Sequence, residues 1–367
     1  MLKVGFIGTG TIFDLNVLGY LENPDVEIIS LCNRTVDKAK QKKKKFNLGE
    51  NVHIYSDYSE MLKKEDLDIV EILLPHHLHA EVTIKAAHTG VRAISVQKPM
   101  ALSLEEAENM IEVCEESGTI LSIYENFLFA PHIQKAKELI SNDYIGDPSF
   151  FRIKTIIGVK GGWALNENAV LWRKDPRIIG GAEKGSPILF DNGWHAFSLA
   201  WWMFGEEIEK VFAWTGYHDG YDAPAHVMFK YKESNQHLVP QYGIMEFTFM
   251  DEMEIPAKYY PADEFIEIIA SRGIMKINQC TSIGNKMTES SAFDPLVLIR
   301  DGVVESFKSF QNDWKYSFIN ATRNFIDAVK NNKKPILSGK EAKCVLKFNL
   351  AAIKSSEMKK EIYLDEL

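Results

Sequence analysis

A chain of 367 residues exceeds what one ordinary core supports, so two domains are expected. Its 46% apolar and 25% charged residues are those of a globular protein, and a net charge of -9 at pH 7 argues against nucleic acid as the main partner, because such binding rests on neutralised phosphates. The four cysteines, Cys32, Cys114, Cys280 and Cys344, are too scattered for a zinc clip or a redox pair and read as reduced thiols.

At the N-terminus "MLKVGFIGTG" breaks into glycines too early for a signal peptide, and no later apolar run reaches membrane-spanning length. The expected location is cytoplasmic, with no membrane partner. Short apolar runs then alternate with amphipathic stretches: strands are expected at 3–8, 27–33, 52–56, 68–75, 91–97 and 119–124, with helices between most of them. This is the grammar of a parallel sheet covered on both faces. The basic run "KAKQKKKKF" at 38–46 reads as the solvated face of a helix. In "SLEEAENMIEVCEESG", Ser103 is the expected N-cap, Glu106 completes a capping box, and Gly118 lies just past the end.

After a further helix at 131–141 the pattern changes to long strand-like runs, from "PSFFRIKTIIGVK" to "PLVLIR", without crossover helices. Such runs imply an antiparallel sheet and an α+β second domain. The expected division is 1–124 and 125–367, with two closing helices around "WKYSFINATRNFIDAVKNN" and "KEAKCVLKFNLAAIKSSE" that pack back on the first domain.

The first strand ends in "GFIGTGTIFD", which puts Gly5, Gly8 and Gly10 at a strand-to-helix turn. Glycine there permits a tight turn and a close approach of the backbone to a pyrophosphate seated at the helix N-terminus. The third glycine of G-x-G-x-x-G would fall at Phe13 and is missing. The second strand ends in "CNRT", where dinucleotide proteins place an acid for NAD or an arginine for NADP. Asn33 and Arg34 favour NADP(H) slightly, with NAD(H) the alternative.

Lys98 ends the fifth strand against Pro99, which fixes its own φ and withdraws a backbone donor. A lysine there either snorkels to water or works in a site. In "FDNGWHAFSLAWW", Asp191 and His195 are four residues apart, on one face if a helix starts there, and a carboxylate beside an imidazole makes a proton carrier near neutral pH.

With "GFIGTG", "LLPHHLHAE", "VQKPMALS" and "DNGWHAF" in hand, the chain resembles the glucose-fructose oxidoreductase, inositol dehydrogenase and MocA (Gfo/Idh/MocA) family over nearly its whole length. The resemblance implies an N-terminal Rossmann domain and a C-terminal domain built on a large, mainly antiparallel open-faced sheet, which commonly pairs with another copy. A homodimer or homotetramer is therefore expected. It also implies that Lys98, Asp191 and His195 are catalytic, and that Gly8, Thr9, Gly10, Thr11, Ile12, Asn33, Arg34, Leu74, Pro75, His76, His79, Gln97 and Lys98 hold the cofactor. Candidates to bind substrate are Tyr124, Asn126, Trp172 and Arg173, together with Asp191 and His195.

The chain departs from the family pattern at Gln97, His76 and Ser198, which stand where a glutamate, an asparagine and an aspartate are usual. His76, His77 and His79 do not have the spacing of a metal site, and no metal is expected. The implied activity is hydride transfer between a nicotinamide and a sugar, polyol or related carbonyl compound. Two alternatives stand beside it: an NAD-dependent glycoside hydrolase of the same fold, and a dinucleotide-binding regulator without catalysis.

Overall fold

The computed structural model describes residues 1–162, 172–235, 237, 239–255, 257–280 and 294–367. They form two compact units, Met1–Asn126 with Phe318–Leu346, and Phe127–Ser317 with Lys347–Leu367.

In the first unit six strands, β1 (Leu2–Ile7), β2 (Val26–Cys32), β3 (His53–Tyr55), β4 (Ile69–Ile72), β5 (Ala93–Gln97) and β6 (Ile120–Tyr124), make one sheet in the order β3-β2-β1-β4-β5-β6. Every pairing is parallel. A sheet covered on both faces has no polar side, which is why β4 and β5 are buried at every position. Helices α1 (Phe13–Leu21), α2 (Val36–Lys45), α3 (Tyr58–Lys64), α4 (His79–Ala87) and α5 (Leu104–Glu116) supply the crossovers.

Ser103 caps α5 by accepting from the Glu106 amide at 3.1 Å, while the Glu106 carboxylate reaches the Leu102 amide at 2.8 Å, one residue before the Ser103 amide that a capping box would use. Gly118 ends the segment with φ +68. The basic run on α2 is mostly exposed, as a solvated face would be, and three of its lysines are also tied to neighbours. Lys42 and Lys45 pair with Asp14 of α1 at 2.5 and 2.6 Å, and Lys43 donates to the carbonyls of Glu50 and Val52. The core of this unit joins Val4, Phe6, Phe13, Val17 and Leu31 to Phe325, Ile326 and Val329 of a helix far along the chain.

The second unit begins with α6 (Pro131–Ser141) and holds a nine-stranded sheet. In chain order its strands are β7 (Pro148–Lys160), β8 (Ile208–Thr215), β9 (Ala225–Tyr231), β10 (Tyr242–Glu254), β11 (Ala262–Ala270), β12 (Gly273–Cys280), β13 (Leu296–Arg300), β14 (Val303–Phe307) and β15 (Ile362–Tyr363). They lie in the order β14-β13-β12-β11-β7-β10-β9-β8-β15. Only β7 and β10 pair parallel; the other pairings are antiparallel.

One face of this sheet is covered by aromatic packing with α7 (Trp194–Phe204), after which come α8 (Lys315–Lys330) and α9 (Gly339–Met358). Phe348 sits 4.7 Å from Phe197 and 5.0 Å from Phe229, ring centre to ring centre. The other face carries the alternate residues. Phe212, Met228, Ile244 and Arg152 lie side by side across four strands, and none of them is buried.

Candidate active site

In the first unit the strand order reverses between β1 and β4, the place where an open parallel sheet leaves a crevice at its carboxyl ends. Gly8, next after β1, has φ +103, and a Cβ built on it would lie 2.2 Å from the Leu73 carbonyl oxygen. Only glycine fits there. A Cβ on Gly10 would meet nothing within 4 Å, so this stretch of the turn borders open space. Helix α1 starts from Ile12 with no side-chain cap; its Asp14 and Leu15 amides donate to the Thr11 and Ile12 carbonyls at 3.2 and 3.1 Å, so an outside acceptor at this end meets the amides ahead of Asp14. Thr9 is buried, and its hydroxyl accepts a bond of 2.9 Å from Asn33 Nδ2; Thr11 and Gly10 are exposed. Asn33 Oδ1 in turn accepts from the Thr35 amide at 2.9 Å, so both ends of its side chain are engaged in the turn. Arg34 is exposed beside it.

Leu74 and Pro75 follow β4 and lead into a single 3₁₀ turn, His76–Leu78, in which His76 is buried. His79 opens α4 and is wholly buried, with Nδ1 2.7 Å from the Pro99 carbonyl and Nε2 2.8 Å from the Leu74 carbonyl. It ties the loop after β4 to the loop after β5. Burial holds its pKa down, opposed by the two carbonyls and helped by the charges of His77 and Lys98. Lys98 itself is half-buried at the end of β5. Gln97 is turned inward and donates to Asn16 of α1 at 3.1 Å. Tyr124 is buried, and its hydroxyl donates to the Phe318 carbonyl at 2.9 Å, inside this unit's core; Asn126 is buried as well. The uncapped α1, the Gly8 turn and the open flank at Gly10 fit a dinucleotide pyrophosphate.

In the second unit the expected helix start at Asp191 is not what forms. Pro187–Asn192 is a π-helical turn, Gly193 follows, and α7 begins at Trp194, so Asp191 and His195 do not share one regular helix face. The wider turn is held by Asp222, a buried carboxylate that accepts from the Ile188 amide at 2.7 Å, the Leu189 amide at 3.0 Å and the Ser186 hydroxyl. Burial pushes its pKa up to about 6. On the far side Asn349 donates to the Leu189 carbonyl at 2.9 Å.

Asp191 is buried and accepts from Arg173 Nε at 3.2 Å. The Arg173 guanidinium lies 4.3 Å from the centre of the Trp172 ring. Trp172 and Arg173 thus sit in a helical turn as one stacked unit against the carboxylate. His195 is half-buried and stacks on Phe127, 3.9 Å between ring centres and 18° between planes, which fixes the imidazole plane. Tyr260 faces the same group. Its pKa is pushed up to about 12, mainly by burial, with Arg173 pulling down and Asp191 pushing up.

Several of these residues escape a reading of the sequence. Phe127 and Tyr260 act by tertiary contact and leave no periodic trace. Asp222 in "GYDAPA" passes for a turn residue. Glu71, an acid inside the apolar run "DIVEILLP", carries the clearest unused signal. Among the described residues, no helix is long and apolar enough to cross a membrane.

The sheet order, the glycine turn at its switch point and the open-faced second sheet define a two-unit dinucleotide protein. The model of the oxidoreductase family with an NAD-binding Rossmann fold matches residues 2–125, and that of the GFO/IDH/MocA C-terminal domain matches residues 133–242. The chain belongs to the Gfo/Idh/MocA family and is an NAD-binding oxidoreductase. It is 23% identical to myo-inositol 2-dehydrogenase of Thermotoga maritima, over 100% of this chain and 99% of that one. It is 32% identical to D-xylose 1-dehydrogenase [NADP(+)] of Haloarcula marismortui, over 35% of this chain and 37% of that one. An Agrobacterium radiobacter oxidoreductase, solved with NAD+, L-tartaric acid and magnesium, has the same fold, with a TM-score of 0.81 at 18% identity over 100% and 99% of the two chains.

Proposed function

We propose that the protein is a cytoplasmic dehydrogenase that moves a hydride between a nicotinamide and a sugar, polyol or related carbonyl compound, with Lys98, His195 and Asp191 carrying its proton chemistry. The observation that carries this reading is Lys98 at the carboxyl end of β5, next to a loop that His79 ties to the loop after β4. Bound nicotinamide supplies the redox chemistry. Lys98 donates a hydrogen bond to the substrate oxygen and stabilises the negative charge that develops there. His195 takes the hydroxyl proton at a ring nitrogen during oxidation and returns it during reduction. Asp191 favours the charged imidazole, and the Trp172–Arg173 pair offers an aromatic and polar wall to a sugar ring. The names of the Thermotoga and Haloarcula relatives support this substrate class. Turnover over a panel of polyols and aldoses, run with each cofactor, tests the reading; no turnover with any of them contradicts it.

For the cofactor we favour NADP(H). Asn33 is neutral and engaged at both ends, so no carboxylate meets a ribose 2′-hydroxyl, while Arg34 is exposed and available to a 2′-phosphate. Arg34→Ala is expected to weaken NADPH binding about tenfold, the scale of one charged hydrogen bond, and to change NADH binding little. Fluorescence titration measures both. Equal affinities in the unmutated protein contradict the preference.

The second unit's sheet face with Phe212, Met228 and Ile244 in one row, none of them buried, supports a homodimer or homotetramer built through that face. Light scattering is expected to give a multiple of the single-chain mass, and Ile244→Arg to reduce it to one chain. A single-chain mass for the unmutated protein at micromolar concentration contradicts the assembly.

A further inference from the structure

Glu71 is 0% exposed in the middle of β4, with all four residues of its strand buried. A carboxylate in that position is costly unless its oxygens are met. Two side chains of α1 meet it, Tyr20 Oη donating to Oε2 at 2.5 Å and Asn16 Nδ2 donating to Oε1 at 3.2 Å. They are four residues apart and so lie on one face of the helix. On the neighbouring strand Ser95 stands in register with Glu71. Asn16 then passes the contact on, because its Oδ1 accepts from Gln97 Nε2 at 3.1 Å. Asn16 and Tyr20 are buried, and Gln97 is 9% exposed. The next residue after Gln97 is Lys98.

We infer that Glu71 is a positioning residue for Lys98: through Asn16 it orients the Gln97 amide and holds the end of β5 against α1, the helix that opens at the glycine turn. The inference rests on the reading that Lys98 meets the substrate. The chain of bonds has a direction. With Glu71 ionised, Asn16 turns its amide nitrogen to the carboxylate and its oxygen to Gln97. A proton on Oε1 makes that oxygen a donor, so Asn16 turns its own oxygen there and presents its nitrogen to Gln97; a proton on Oε2 is met by the Tyr20 hydroxyl and leaves Asn16 bonded to a neutral oxygen, which weakens its hold because the carboxylate charge is gone. The state of Glu71 is thereby written into the residue that precedes Lys98.

Burial, opposed by Tyr20, Ser95 and Asn16, pushes the Glu71 pKa up to about 8, so the switch falls in a range that experiment reaches. The titratable groups facing it are Tyr20 from α1 and Tyr124 from β6, and both are driven well above the usual tyrosine range by burial. His79, whose ring meets the carbonyl of Pro99 just after Lys98, has its pKa lowered by burial, away from that range. A change at Lys98 centred near pH 8 is assigned to Glu71 by its loss in Glu71→Gln.

The test needs no substrate. Lysines of the full-length protein are reductively methylated with 13C-formaldehyde, and the Lys98 signal is identified by its loss in Lys98→Ala. In the unmutated protein that signal is expected to move with a midpoint at about pH 8, and the midpoint is expected to vanish in Glu71→Gln. Gln97→Met cuts the chain while leaving Glu71 its partners in Tyr20 and Asn16, so it is expected to lose the midpoint too, and it decides the matter if Glu71→Gln does not fold. A Lys98 signal with the same pH dependence in the unmutated protein and in the folded variants overturns the inference. Turnover by Lys98→Ala is a separate measurement and tests the catalytic reading alone.

Discussion

Lys98→Ala and His195→Ala are each expected to lower kcat about a hundredfold or more, the usual scale for a positioned charge-stabilising or acid-base group. Neither side chain has a part in holding the pyrophosphate or ribose in this account, since that work falls to the Gly8 turn, α1 and Arg34. NADPH affinity in both variants is therefore expected to stay within about twofold of the unmutated protein. Asp191→Asn keeps the shape and removes the charge that favours imidazolium, so its pH profile moves toward lower pH as its rate falls. The same substitution also weakens the Arg173 contact at 3.2 Å, which adds a KM effect that His195→Ala lacks. Near-normal turnover by Lys98→Ala would make Lys98 a snorkelling strand-end residue. Loss of NADPH binding together with activity would place it in the cofactor cradle instead.

The second large effect is expected at the glycine turn, where Gly8 and Gly10, with one residue between them, behave oppositely on this account. Gly8→Ala forces a side chain onto a residue with φ +103 and drives its Cβ to 2.2 Å from the Leu73 carbonyl oxygen, a backbone atom that cannot swing away. The left-handed conformation alone costs about 1–2 kcal/mol, and displacement of the β4 end adds to it. A fall in Tm and a loss of NADPH binding of at least about a hundredfold are expected. Gly10→Ala meets nothing within 4 Å, so it should fold with an unchanged Tm and still bind NADPH more weakly, because the new methyl group occupies space assigned to the pyrophosphate. Thermal unfolding and NADPH fluorescence separate the two. Full NADPH affinity in both variants would remove the pyrophosphate from this turn.

The parallel sheet of the first unit is legible in the sequence because its strands are buried on both faces and read as unbroken apolar runs between helical patterns. In the second unit the long strands β7 and β10 are as plain. β12, β14 and β15 are not. "GIMKINQC" interrupts its apolar residues with Lys276 and Asn278, β14 lies at the sheet edge with Val303 57% and Val304 64% exposed, and β15 is two residues long. Such strands exist by pairing, which a local pattern does not record.

The site divides in the same way. Gly8 is legible because the turn after β1 demands a glycine, whereas the roles proposed for Lys98 and His195 come from the family motifs they match. The spacing of Asp191 and His195 misleads, because it assumes an ordinary helix; Asp222, 31 residues after Asp191, holds a π-helical turn there instead. The partners of Glu71 lie 51 and 55 residues away in sequence, so the network is visible only once α1 is laid on β4.

The central claim, hydride transfer to or from a free nicotinamide cofactor, is tested most directly by the balance between reduced cofactor and oxidised product over a panel of polyols and aldoses. The account predicts one NADPH released for each molecule of substrate oxidised, with Lys98→Ala slower by about a hundredfold or more. Cleavage of glycosides with no net cofactor reduction, or cofactor binding with no turnover of any panel member, would contradict it.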